Sequence, residues 1–93
     1  MSRKKVCKVL HKIFIHKFEQ EITSNISEAL RADFLNIKAA ESKLADQMDI
    51  KRETLKKWYY GYNTPSAAHL VLLARSSPAV EEVLKNLIAK NRD

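Results

Sequence analysis

A single glycine, Gly61, and two prolines, Pro65 and Pro78, are the only residues of those two kinds in a chain of 93. Glycine and proline are the strongest interrupters of a helix, so most of this sequence carries no built-in stop. No run of alternating apolar and polar residues lasts for a strand's length, whereas spacings of three and four recur throughout. The sequence therefore predicts an all-α chain. Val6, Val9, Leu10, Ile13, Phe14 and Phe18 make the i, i+3, i+4, i+7 stripe of an amphipathic helix, with Ile15 off that stripe. The short piece 12–18 can also be written as a strand.

The fourfold spacing continues through Ile22, Ile26, Leu30 and Phe34, a row that would rotate progressively around a straight helix. A break is expected at Thr23, Ser24, Asn25 and Ser27, where Asn25 followed by Glu28 resembles a capping box opening a second helix at about 26–35. Asn36 caps the next helix, about 37–48, with Ile37, Ala40, Leu44, Ala45 and Met48 inward. Asp49 marks a tight turn, because Asp tolerates the left-handed conformation better than most side chains. A helix at about 52–60 follows and stops at Gly61. Thr64 with Pro65, and Ser77 with Pro78, read as N-cap and first helical position of the last two helices. Leu70, Val71, Leu73 and Ala74 are the apolar residues of the first, and Val80, Val83, Leu84, Leu87 and Ile88 make the stripe of the second.

With 45% hydrophobic residues, a chain of this length can bury one modest core without metals or disulfides. Cys7 is the lone cysteine and cannot form an internal bridge, which suits a reducing cytoplasm. No metal-ligand spacing is present: His11 and His16 are five apart, His69 stands alone, and each reads as a surface or boundary residue. No nucleophile with a base and an orienting acid can be assembled, so no catalytic residue, cofactor or small-molecule ligand is expected. Lysines and histidines interrupt every apolar run before Phe18, which argues against a signal peptide or a membrane span. Because that stretch has no acid, a membrane-surface helix is an alternative for it.

A net charge of +6 favours a polyanionic partner, and its distribution says more than its sum. Residues 1–18 carry six Lys or Arg and no acid, residues 19–50 three bases and seven acids, and residues 51–63 four bases and one acid. The second basic cluster coincides with the most informative stretch. Two short helices crossing steeply need a small residue where they approach, a tight turn, and apolar residues that fix the second helix; Ala45, Asp49, Ile50, Leu55 and Trp58 fill those roles.

On these residues, and on "KLADQMDIKRETLKKWYYGYNTPS" followed by "HLVLLARSSP", the chain resembles the Cro and phage-repressor family of helix-turn-helix proteins, often called Xre-like. The similarity covers about residues 27–90. It implies a five-helix Cro/repressor-like helix-turn-helix domain over 25–93, with a basic amphipathic N-terminal helix over 1–24 added to it. The element before the turn corresponds to residues 39–48 and the recognition helix to 52–60. Two departures stand out: Asp49 replaces the frequent turn glycine, and Tyr59 follows Trp58 where Glu is common. The implied function is sequence-specific binding of double-stranded DNA by a transcription regulator, a repressor, working as a homodimer.

At about 100° per residue, Leu55 and Trp58 define the buried side of the recognition helix, with Tyr59 flanking it, and put Glu53, Lys56, Lys57 and Tyr60 on the opposite side. Arg52 suits guanine O6 and N7, Glu53 suits cytosine N4, and Lys56 is a further guanine candidate. Alternatively Arg52 and Glu53 are a solvated helix start, with Glu53 complementing the helix dipole. Lys51, Lys57, Tyr60, Asn63 and Ser42 are the phosphate candidates. Tyr60 and Tyr62 also fit as covers of the core edge. The rival to DNA binding is a protein-interaction module on the same scaffold, docking its partner through the N-terminal helix. Residues 1–20 are the expected pairing surface of a dimer, and the last helix is the competing one.

Overall fold

In the computed structural model, which describes the backbone of residues 2–90 and the side chains of 15–89, every regular element is helical. Helix α1, Ser2–Asp33, is followed by α2 (37–48), α3 (Arg52–Tyr59), α4 (Ala67–Ser76) and α5 (Pro78–Lys90). Five helices stand where six were expected, because no break occurs near Asn25 and the expected boundary between 24 and 25 lies inside α1. The polar residues read as a break are absorbed by the helix. Thr23 turns its hydroxyl back onto the Glu19 carbonyl at 2.8 Å, and Ser27 sends its own across to the Tyr59 carbonyl at 2.6 Å. The drifting row is absorbed as well: α1 packs on α3 with one side and on α5 with the other, so Ile22, Ile26, Leu30 and Phe34 all find cover on a wide arc. Residues 12–18 are helical too, which settles the strand alternative.

Asn36 caps α2 as expected, accepting the Ala39 amide at 2.9 Å. The middle of α2, Glu41–Ala45, is wound as a π turn. Ala40, Leu44, Ala45 and Met48 are buried and Ile37 is half-buried. The helix ends at Asp49, whose φ of 52° is left-handed. Its amide returns to the Asp46 carbonyl at 3.3 Å, and the Ile50 amide to that of Ala45 at 3.0 Å. This pair of bonds satisfies two carbonyls that a helix C-terminus otherwise leaves open.

The same device ends α3. Gly61, at φ 79°, donates to the Trp58 carbonyl at 3.2 Å, and Tyr62 to that of Lys57 at 2.7 Å. Helix α4 opens two residues later than expected. Ser66, not Thr64, is its N-cap and accepts the His69 amide at 3.3 Å, and Ala67 is its first residue. Thr64 is used elsewhere, bonded to the Thr23 hydroxyl and reaching the Glu19 carbonyl at 3.4 Å, while Pro65 is buried. The Thr64 hydroxyl is engaged by α1 and so is not the cap of α4.

Pro78 is the first residue of α5 and Ser77 accepts the Val80 amide at 3.3 Å, as the Ser-Pro pair predicts. A second acceptor comes from the end of α1: Asp33 takes the Ser77 hydroxyl at 2.5 Å and the Ala79 amide at 3.0 Å. Farther along α5, a hydrogen bond from Lys85 to Glu81 at 2.9 Å raises the pKa of that exposed ammonium. The core gathers on α1 and draws on every helix: Ile26 and Leu30, Leu44, Leu55, Leu73 and Val80 are all fully buried. Ile88, expected on the inward stripe, is exposed instead at 63%, one position past the buried Leu87, and Val71, one of the apolar residues of α4, is exposed at 51%. The apolar stripe from Val6 to Phe14 lies outside the described side chains.

Candidate functional site

Helix α3 has eight residues and is therefore about 12 Å long. Three of its side chains anchor it. Leu55 is fully buried and Trp58 is 3% exposed. Tyr59 is buried as well, more deeply than a flanking position would be, and its hydroxyl donates to the Phe34 carbonyl at 3.1 Å. With Ser27 holding the Tyr59 carbonyl, the C-terminal end of α3 is tied through the backbone of one residue to α1 and through its side chain to Phe34, the residue that follows α1.

The opposite side of α3 is open. Lys51, Arg52, Glu53, Lys56, Lys57 and Tyr60 are all exposed, as are Ser42 on α2 and Asn63 in the following loop. All eight residues singled out from the sequence thus reach solvent, and six of them lie on or immediately beside one short helix. Lys51 holds the N-cap position in extended geometry without a capping side-chain bond, and Arg52 begins the helix. Lys56 and Lys57 lie in its last turn, where cations complement the helix dipole. The Asn63 amide reaches the Lys57 carbonyl at 3.4 Å and so stays at the far end of α3. Ser42 lies in the π turn of α2. Tyr60 sets its ring edge-on to that of Tyr59 at 5.2 Å yet remains 53% exposed, and Tyr62 is 77% exposed, so neither closes the core edge.

One partner was not legible in the sequence. The Glu41 carboxylate lies 3.8 Å from Arg52 Nε; its side chain is 12% exposed and that of Arg52 is 76% exposed. No pattern signal marks this pair, because the residues are eleven positions apart on two helices and meet only through the turn at Asp49.

Beside α3 lies a cleft of about 920 Å³, with His16, Gln20 and Ser24 of α1 on one wall, Thr54 and Trp58 of α3 on another, and Asn63 at its rim. His69 closes it from α4, its ring 5.1 Å from that of Trp58 and its Nδ1 2.9 Å from the Ser66 hydroxyl. Among the described residues no Lys or Arg lines the cleft, and Glu19 supplies its one carboxylate. The cation-bearing surface is therefore the outer face of α3 and not this cleft. Among the described residues no three His, Cys, Asp or Glu side chains gather as a metal site, and no helix is long and apolar enough to cross a membrane.

Comparison with family models, with curated proteins and with solved structures finds no match to the chain.

Proposed function

We propose that the protein is a sequence-specific, double-stranded DNA-binding transcription regulator of the Cro and phage-repressor helix-turn-helix kind, reading the major groove with α3. The observation that carries this reading is the two-sidedness of α3. Leu55, Trp58 and Tyr59 lock one side, while Glu53, Lys56, Lys57 and Tyr60 stand in solvent on the other and Arg52 is exposed at the helix start. A major groove about 12 Å wide admits an α-helix, and its base edges offer acceptors to Arg and Lys and a cytosine donor to Glu. In this reading Arg52, Glu53 and Lys56 address bases, while Lys51, Lys57, Tyr60, Asn63 and Ser42 address phosphates. The resemblance makes repression the expected outcome and a homodimer the expected form.

Selection of bound sites from a random duplex library, followed by affinity measurements against salt, tests the proposal. A recovered consensus and a steep fall of affinity with salt are expected. Recovery of unrelated sequences, or no duplex binding at low salt, overturns it. A second reading, a protein-interaction module, draws on the cation-free cleft beside α3. Its signature is salt-insensitive binding to a protein with no affinity for duplex DNA.

A further inference from the structure

We propose that the groove between α1 and α5 receives the basic, amphipathic N-terminal segment of α1 from a second copy of the chain, so that two copies exchange these segments about a two-fold axis. The inference stands apart from the reading of α3, because neither the groove nor the segment includes a residue assigned to DNA. Where α1 packs on α5, two adjoining hollows of about 240 and 310 Å³ share Asn25, Val83 and Asn86 and so make one groove. Ala29, Val83 and Leu87 supply its apolar lining, while Glu28 of α1 and Glu82 of α5, both exposed, stand on its two sides. Glu21 adds a third carboxylate. Among the described residues no Lys or Arg lines the groove.

The chain carries a segment that complements this groove in charge and in apolar character. Residues 1–18 hold six Lys or Arg and no acid, and the sequence sets Val6, Val9, Leu10, Ile13 and Phe14 on one stripe. At about 100° per residue, Lys5 and Lys12 fall together along the border of that stripe beside Val9. The lengths agree as well: Val6 to Phe14 and Glu21 to Ala29 are each eight steps of helix, about 12 Å. The occupant is a second copy, since the backbone runs as one helix from Ser2 to Asp33. A continuous helix cannot fold its own first turns back onto residues 21–29, which are its own continuation. In a two-fold pair the exchange is mutual, so each copy fills the other's groove and the two α1 helices run antiparallel. Apolar burial then supplies affinity and the flanking charges fix the register.

The test is made without DNA, so that its failure is distinct from failure of the reading of α3. Sedimentation equilibrium compares the full chain, a groove variant with Glu28→Lys and Glu82→Lys, a segment variant with Lys5→Glu and Lys12→Glu, and an equimolar mixture of the two variants, with thermal melting of each protein. The native chain is expected to dimerise. Either variant alone sets like charges against each other along the groove, and its dissociation constant is expected to rise at least about tenfold. In the mixture each reversed groove meets a reversed segment and each native groove a native one. A heterodimer of close to native affinity is therefore expected.

A monomeric native chain overturns the proposal and leaves the groove to a different partner. Unchanged dimerisation of either variant overturns it as well and places the interface elsewhere. If both variants are monomeric and their mixture stays so, the two sets of residues do not meet across the pair, and the proposal fails. Should the groove variant lose its cooperative melting, Glu28→Gln with Glu82→Gln takes its place. Two rim charges are then lost in each of two grooves, and the dissociation constant is expected to rise at least about fourfold. An unchanged constant overturns the proposal.

Discussion

Trp58 and Lys57 are neighbours on α3 with opposite assignments, and single substitutions separate them. Trp58 is 3% exposed and stacks at a tilt on His69. Trp58→Ala should cost about 3–5 kcal/mol, read as a lowered urea midpoint with loss of the α3 surface. Lys57 is exposed and belongs to the phosphate group of the proposed reading. Lys57→Ala should leave the urea midpoint nearly unchanged, weaken all duplexes alike, and reduce the salt slope by about one unit. A loss confined to one sequence would move Lys57 among the base-reading residues. The burial of Trp58 and the exposure of Lys57 were legible from spacing, because 100° per residue already separates Trp58 and Leu55 from Lys56 and Lys57. The depth of Tyr59 was not. A tyrosine at the border of the buried arc goes inward only if its hydroxyl finds a partner, and that partner, the Phe34 carbonyl, comes from the connection after α1, 25 positions earlier in the sequence.

Between elements, the joints carry the information that local sequence lacked. Asn36, Asp49, Gly61 and Ser77 act through their own backbone or the next few residues, and each does what its type predicts. Asn25 and Thr64 carry equally good local signals and do otherwise, since α1 gains more from continuing between α3 and α5 than from stopping. Thr64 is likewise drawn to Thr23 across 41 positions of sequence. The junction of α1 with α5 belongs to this class, because Asp33 is remote in sequence from the amide it caps. Asp33→Ala should cost about 0.5–2 kcal/mol, the usual range for a lost N-cap, and amide exchange should quicken first at the start of α5. Asp33→Asn, which keeps an acceptor oxygen, should recover most of the loss. Equal melting of all three proteins would show that the Ser77 hydroxyl alone suffices as the cap of α5.

At the scale of the whole molecule, the longest dimension is 53 Å against 27 and 19 Å for the other two. A helix of 32 residues is about 48 Å long, so α1 alone accounts for the elongation. Among the described side chains of α1, those that join the core begin at Ile22. The sequence puts Val6, Val9, Leu10, Ile13 and Phe14 on one stripe nearer the start of the helix. A stripe of this kind calls for a partner, and in the proposed reading the eight residues of α3 touch too few base pairs to select a site alone. One copy of the chain against another answers both needs, since a two-fold pair doubles the site. The expected outcome is a dimer by light scattering that protects half-sites roughly 10 base pairs apart, or a multiple of that spacing. Val9→Glu combined with Ile13→Glu in the full chain should give a monomer, with thermal melting alongside to check that the fold survives. Its duplex affinity should fall steeply while any single half-site contact survives. A doubly substituted chain that still dimerises moves the pairing surface to α5, where Ile88 is 63% exposed. A native chain that stays monomeric on its DNA removes the dimer altogether.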